Sequence, residues 1–249
     1  MSNNIKTDLE KVVKGSVDDS LTKKTLYSHD ASMFEIMPEC VVSPINSDDI
    51  MSLVTYVSQN KPSMPNLSLT VRSGGTCMSG GAINDSIIVD MAEHMNSIIA
   101  VSPVQAQAQP GVYYRDFEKA TLEKNAIMPS YPASRDLCTI GGMVSNNAGG
   151  EKSLQFGKTE QFVDELKVVF ADGKEYVVKP LTKQELDSKM AQNDFEGNMY
   201  KQVFELVDGS YDEIKAAKPG VSKDSTGYHL WDLWDRETGV FNMTRAIVG

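Results

Sequence analysis

Apolar positions along the chain fall into short runs between polar stretches, and the spacing within each run predicts an element. "CVVSP" (Cys40 to Pro44) is an unbroken apolar run, the pattern of a short buried strand. "NSDDIMSLVTYVSQN" then carries Ile50, Leu53, Val54 and Val57 on one stripe, which predicts a helix. Ser47 is placed to cap it, and Asp48 and Asp49 suit its positive N-terminal end. "LSLTVRS" alternates as a strand, and "SIIVDM" reads as another. Over about the first 100 residues the order is β-α-β-loop-β, an α/β pattern. "AQAQPGVYYRDFEKATLEKN" predicts a strand, a Pro110-Gly111 turn and a helix. "VDELKVVFADGKEYVVKP" alternates around Ala171-Asp172-Gly173-Lys174, which predicts a β-hairpin. "LTKQELDSKM" and "NMYKQVFELVDGS" read as helices. The opening "TDLEKVVKGSVDDSLTKKTLYS" reads as a helix and a loop, polar and easily frayed. The closing Ala246-Ile247-Val248-Gly249 reads as a strand in mid-flow, so the chain is expected to be cut rather than finished.

Size and charge narrow the classes. A chain of 249 residues holds one large domain or two small ones, and 41 % hydrophobic content suffices for a core. Twenty-four Lys and Arg against 34 Asp and Glu leave a net charge of −10, and no basic run interrupts it, so nucleic acid is not an expected partner. The N-terminus has no apolar signal core, and no run of about 18 apolar residues occurs, which predicts a soluble, cytoplasmic protein without a transmembrane segment. Cys40, Cys77 and Cys138 form no paired motif, and His29, His94 and His229 are scattered, so neither a disulfide framework nor a metal centre is expected.

The chemistry is concentrated in two glycine-rich segments. In "VRSGGTCMSGGAINDSIIVDM", Gly74, Gly75, Gly80 and Gly81 precede a strand. Glycine admits a backbone with positive φ and lets a ligand come close, and successive N–H groups then form a concave nest for phosphate oxygens. Arg72 stands at the entrance, and Thr76 and Ser79 add hydroxyls. A Walker loop is excluded because Gly81 stands where its lysine belongs, and GxGxxG is absent. An ordinary glycine-rich turn remains the alternative. The second segment, "TIGGMVSNNAGG" (Thr139 to Gly150), admits a turn or a small-residue packing surface as alternatives. Two such stretches in one chain suggest two walls of one ligand site.

The order Arg72-Ser-Gly-Gly-Thr76, Ser79-Gly80, Pro110-Gly111, Thr139-Ile-Gly-Gly142, Asn147-Ala-Gly-Gly150 and Phe170-Ala-Asp-Gly173 resembles the FAD-linked oxidase family, the vanillyl-alcohol oxidase and p-cresol methylhydroxylase superfamily. A Tyr27-x-x-Asp30-x-Ser32 block matches that family's opening, and "KDSTGYHL" with "TRAIVG" resembles the end of its flavin domain. The branch is similar to D-lactate and glycolate dehydrogenases, and the likeness covers about residues 25 to 249.

The resemblance implies an α+β or α/β fold of two subdomains, about 25–102 and 103–249, with FAD between them and residues 1–24 as an extension. It implies that Arg72, Ser73, Gly74, Gly75, Thr76, Ser79 and Gly80 hold the pyrophosphate. Thr139, Gly141, Gly142 and Asn146 would form the second wall, with Ser134 and Gly149 nearby, Pro110 and Gly111 shaping the turn, and Ile247 beside the flavin or the adenosine. Thr76 stands where some relatives attach FAD through a histidine, so FAD is expected to be non-covalent. The substrate cap that follows in relatives is missing, no catalytic residue is assigned, and self-association through the uncapped surface is expected. The implied function is the FAD-binding domain of an oxidoreductase that oxidises a D-2-hydroxy acid, D-lactate or glycolate for instance, by hydride transfer to flavin N5. The alternatives are a flavin oxidase of another alcohol or sugar with its cap on another chain, and a truncated, non-catalytic module.

Overall fold

The computed structural model describes residues 5–221, 224 and 227–249. "KDSTGYHL" therefore lies partly outside the described residues. Buried side chains among the described residues form three clusters that follow one another along the chain.

The opening part of the chain forms α1 (Ile5–Leu9), β1 (Ser16–Asp18), α2 (Leu21–Tyr27), β2 (Cys40–Ser43), α3 (Ser47–Asn60), β3 (Leu69–Arg72) and β4 (Ile87–Asp90), and the first cluster draws on all of these except α2. The sheet order is β1-β2-β4-β3, with β2 and β3 parallel to β4 and β1 antiparallel to β2. Every residue of β2 and β4 is buried, as their unbroken apolar runs require. The expected helix forms with Leu53 fully buried, but its cap is Asn46, whose side chain accepts from Asp49 N–H, rather than Ser47. The opening segment is not loose: Ile5, Leu9 and Val13 pack in this cluster, and Ser16–Asp18 adds a strand where a loop was expected.

The second cluster contains β5 (Ile98–Val101), β6 (Ala106–Ala108), α4 (Tyr114–Leu122), α5 (Ile140–Ser145) and Cys138. A short helix, α6 (Ser153–Phe156), follows. The third cluster takes the hairpin β7 (Leu166–Val169) and β8 (Glu175–Val178), then β9 (Pro180–Thr182), α7 (Lys183–Met190), α8 (Phe195–Gly209) and α9 (Tyr211–Ala216). It closes with β10 (Trp234–Asp235), β11 (Val240–Asn242) and α10 (Thr244–Ile247), and β10-β11-β9 form an antiparallel sheet. The expected hairpin is present. Its turn glycine, Gly173, has φ +75°, and the turn rests on α3, where Ser58 Oγ donates to the Ala171 carbonyl at 3.2 Å. The chain's last residues form a helical turn rather than a strand, and Gly249 N–H donates to the Val144 carbonyl at 3.2 Å, which ties that turn to α5.

Candidate cofactor-binding site

The loop from Ser73 to Gly81 leaves the C-terminal end of β3, at the edge of the parallel strands, where open α/β sheets bind ligands. Gly75 has φ +66° and Gly80 φ +79°, so the loop bends through backbone shapes that other residues resist. Among the described residues, no backbone N–H from Ser73 through Gly81 donates to a protein oxygen. The Ser79 and Gly81 N–H groups face the Cys77 sulfur, and the uncommitted run from Ser73 to Met78 on a bent loop offers a donor set to an acceptor from outside the chain. The donors are neutral and closely spaced, which fits a diphosphate. The glycine-rich loop expected from sequence therefore has the chemistry for the pyrophosphate of FAD.

The second segment is differently made. Thr139 is fully buried and caps α5, accepting from Gly142 N–H at 3.3 Å, and its hydroxyl bonds the Ser73 hydroxyl. Ile140 N–H donates to the Val112 carbonyl and Gly141 N–H to the Pro110 carbonyl, both at 2.8 Å. The first N–H groups of this short helix are thus consumed inside the protein. A Cβ on Gly141 would stand 2.6 Å from Pro110 Cβ, and one on Gly142 would stand 2.7 Å from Ser73 Oγ. Gly74 lies against the Leu137 carbonyl, and Gly111 against those of Met91 and Met95. Close packing therefore accounts for these glycines, and for Gly141 and Gly142 it is the small-residue packing surface that the sequence had left open.

The structure brings Ser73, Gly142 and Thr139 into contact, sets Gly74 against Leu137 and Cys138, joins Pro110 to Gly141, and sets Ser134 one turn before Cys138, whose N–H its carbonyl accepts at 2.8 Å. Gly80 faces the Phe34 ring, and Thr76 is half-exposed beside the exposed Ser79. Asn146 is exposed at the end of α5, and Gly149 packs on Ser153. Ile247 packs on the third cluster instead of joining the loop. Asn147, which entered only as part of a resembling motif and with no role of its own, is buried with φ +41° and its Oδ1 accepts from Glu160 N–H at 3.0 Å, which pins the stretch that follows α5. The Asn-Asn pair was its only signal, because asparagine tolerates left-handed backbone.

Arg72 is half-buried, and burial lowers its pKa. Its Nη1 donates to the His29 carbonyl at 2.6 Å, with the Ala82 carbonyl at 3.4 Å and that of Tyr27 at 3.5 Å. The His29 ring pairs instead with Glu35 at 3.4 Å; His94 lies 3.8 Å from Glu93, and His229 is buried 3.5 Å from Asp224. Two open concavities, of about 660 Å3 beside Trp234 and Arg245 and about 420 Å3 between α3 and β3, include none of the expected site residues.

Residues 38–179 match the FAD binding domain family. The chain belongs to that family. It is 26 % identical over 238 residues to a D-2-hydroxyglutarate dehydrogenase of Pseudomonas putida, covering 95 % of this chain and 23 % of that protein. It is 36 % identical over 160 residues to the glycolate oxidase subunit GlcD of Bacillus subtilis, 63 % of this chain and 33 % of the relative. A solved 6-hydroxy-D-nicotine oxidase from Arthrobacter nicotinovorans superposes with TM-score 0.57 at 22 % identity, over 67 % of this chain and 36 % of that one. An alkyldihydroxyacetonephosphate synthase gives TM-score 0.59 at 17 % identity, over 72 % of this chain and 36 % of that one. The FAD-linked oxidase resemblance and its α+β fold are thereby borne out. The chain spans about a quarter of the length of the D-2-hydroxyglutarate dehydrogenase it matches. Among the described residues, no helix is long and apolar enough to cross a membrane.

Proposed function

We propose that this chain holds FAD, non-covalently, for a dehydrogenase of small D-2-hydroxy acids. The uncommitted N–H groups from Ser73 to Met78 carry the reading. They would take the diphosphate oxygens, with the Thr76 and Ser79 hydroxyls beside them and Arg72 at the loop's entrance. Thr139, Gly141 and Gly142, with Pro110, Gly111 and Ser134, would back the loop from the second wall. Asn146, Gly149 and Ile247 stay in the proposed set on resemblance. A threonine at position 76 offers flavin no ring nitrogen, which supports reversible binding. When bound, FAD supplies a flavin N5 that accepts a hydride from the carbon bearing the hydroxyl.

The substrate class rests on the relatives, which are named for D-2-hydroxyglutarate, glycolate and, at 31 % identity over 136 residues in Archaeoglobus fulgidus, D-lactate. The base for the hydroxyl proton is proposed to come from the larger remainder that such relatives possess. Three free thiols support a reducing, cytoplasmic setting. Met33, Phe34, Met78 and Leu137 stand exposed around the loop, which supports self-association; a monomer in size-exclusion chromatography at high concentration would count against it.

The deciding test is the visible spectrum after FAD is added and free flavin is removed by desalting. Flavin bands near about 450 nm that denaturation releases are expected. A colourless, folded protein would overturn the reading for this chain, and colour that stays with the denatured chain would overturn non-covalent binding.

A further inference from the structure

The Tyr27-x-x-Asp30-x-Ser32 block matched a family opening, yet the proposed function gives it no task. Its side chains gather at the two ends of the donor loop. The Arg72 guanidinium, at the loop's start, is 4.9 Å from the Tyr27 ring and bonds the carbonyls of Tyr27, His29 and Ala82. Ala82 is the residue that follows the loop, so this one group ties its start to its end. The Tyr27 hydroxyl donates to Asp90 Oδ2, and Asp90 is buried at the end of β4, in register with Arg72. Asp30 Oδ1 accepts from Ser32 N–H at 2.8 Å, while its buried Oδ2 makes no hydrogen bond. Gly75 passes directly against the guanidinium: a Cβ there would stand 2.5 Å from Arg72 Nη2.

We propose that Tyr27, Asp30 and Arg72 form a clasp that fixes the loop Ser73–Gly81 in its donor shape, and that Arg72 is a positioning residue rather than a ligand of the diphosphate. The proposal rests on the FAD reading and assigns the labour within that site. Arg72 Nη1 is turned inward, toward three carbonyls, and the Tyr27 ring flanks the guanidinium. Its charge also helps to keep the Asp30 carboxyl below the usual range: burial pushes that carboxyl up, but the Ser32 hydrogen bond, the nearby Ala82 N–H and the Arg72 charge outweigh it. Asp30 and Asp90 offset part of that charge within the protein, and the clasp leaves the diphosphate chiefly to the neutral N–H donors.

The sign of one substitution separates the two roles of Arg72. Asp30→Asn removes a negative charge close to a bound dianion. If Arg72 contacts the diphosphate, that change frees its charge, and FAD binds as tightly as before or more tightly. If the clasp sets the loop, FAD binds about ten-fold more weakly despite the favourable charge change. FAD titrations on Asp30→Asn, Tyr27→Phe, Arg72→Lys and the Asp30→Asn/Arg72→Lys double variant are the experiment. The clasp predicts that the double variant binds no more weakly than the weaker single. Unchanged or tighter binding by Asp30→Asn, or losses that add fully in the double variant, would overturn it.

Limited digestion of the FAD-free proteins with a broad-specificity protease supplies a second readout. Faster cleavage within residues 73–82 in Asp30→Asn and Tyr27→Phe, with far-ultraviolet circular dichroism as in the parent, is expected. Unchanged cleavage in the loop would overturn the clasp. Tyr27→Phe keeps the ring and removes only the hydroxyl, so it serves if Asp30→Asn does not fold. Failure of the parent chain to bind FAD would strike the cofactor reading, while the cleavage measurement would still decide the clasp.

Discussion

Asp49 takes three backbone N–H groups at once, from Lys14 at 2.7 Å, Gly15 at 2.9 Å and Ile45 at 3.0 Å. In the sequence it was only an acid suited to a helix start; its buried carboxylate in fact stitches the opening segment to α3. Asp49→Ala is expected to cost about 3 kcal/mol, since it strands several donors, and urea titration followed by circular dichroism would show it. The thiols divide by burial. Burial pushes the Cys40 thiol up to about 12 and raises that of Cys138, whereas Cys77 is half-exposed and lowered: burial opposes, but hydrogen bonds from Ser79 and Gly81 prevail. A thiol reagent at neutral pH should titrate one cysteine in the folded protein and all three in denaturant. Gly75→Val should abolish FAD retention with little change in far-ultraviolet circular dichroism. The glycine loop suggested a side chain filling the phosphate's space; the structure adds that its Cβ would strike the Arg72 guanidinium from a left-handed backbone.

Elements were legible where periodicity was strong and the element was long enough to show it. Helix α3, the buried strands β2 and β4, and the β7–β8 hairpin all follow from apolar spacing and turn chemistry. Helix α5 was hidden because Gly141-Gly142 has poor helix propensity; the Thr139 cap and packing against Pro110 and Ser73 impose it. Strand β1 is three mixed residues and exists because β2 offers it a partner. The closing α10 turn read as a strand because isoleucine and valine favour strands, a preference that packing on the third cluster overrides. In α7 the capping box is complete: the Thr182 side chain accepts from Glu185 N–H, and the Glu185 carboxylate from Thr182 N–H. Thr182→Ala should cost about 1 kcal/mol, visible as a lower melting temperature.

Across the whole molecule, several acids are held below their ordinary range. Glu93 is held there by hydrogen bonds from Ser43 and Lys23, and Asp208 by Arg236 and Trp234 against a small opposing burial. A carboxyl with a depressed folded pKa adds stability that is fully present above its unfolded value and is lost as pH falls through the folded one. Denaturant midpoints should therefore hold down to about pH 4 and drop below it. Tyr27, Tyr114 and Tyr200 are raised, burial first, so their contribution is complete below pH 10 and lost as pH climbs further. A midpoint unchanged between pH 7 and pH 3 would contradict the acid side. By itself the sequence pointed to the kind of ligand, through the order of its glycine-rich motifs and the family they resemble, while the residues of the first loop alone left an ordinary turn open. It also determined the main α/β elements, whose apolar periods are local properties. Only the tertiary structure decided that the second glycine segment packs on the first, and that Arg72 turns inward to Tyr27, His29 and Ala82. Those contacts join positions far apart in the chain, and no local pattern encodes which carbonyls a guanidinium will meet.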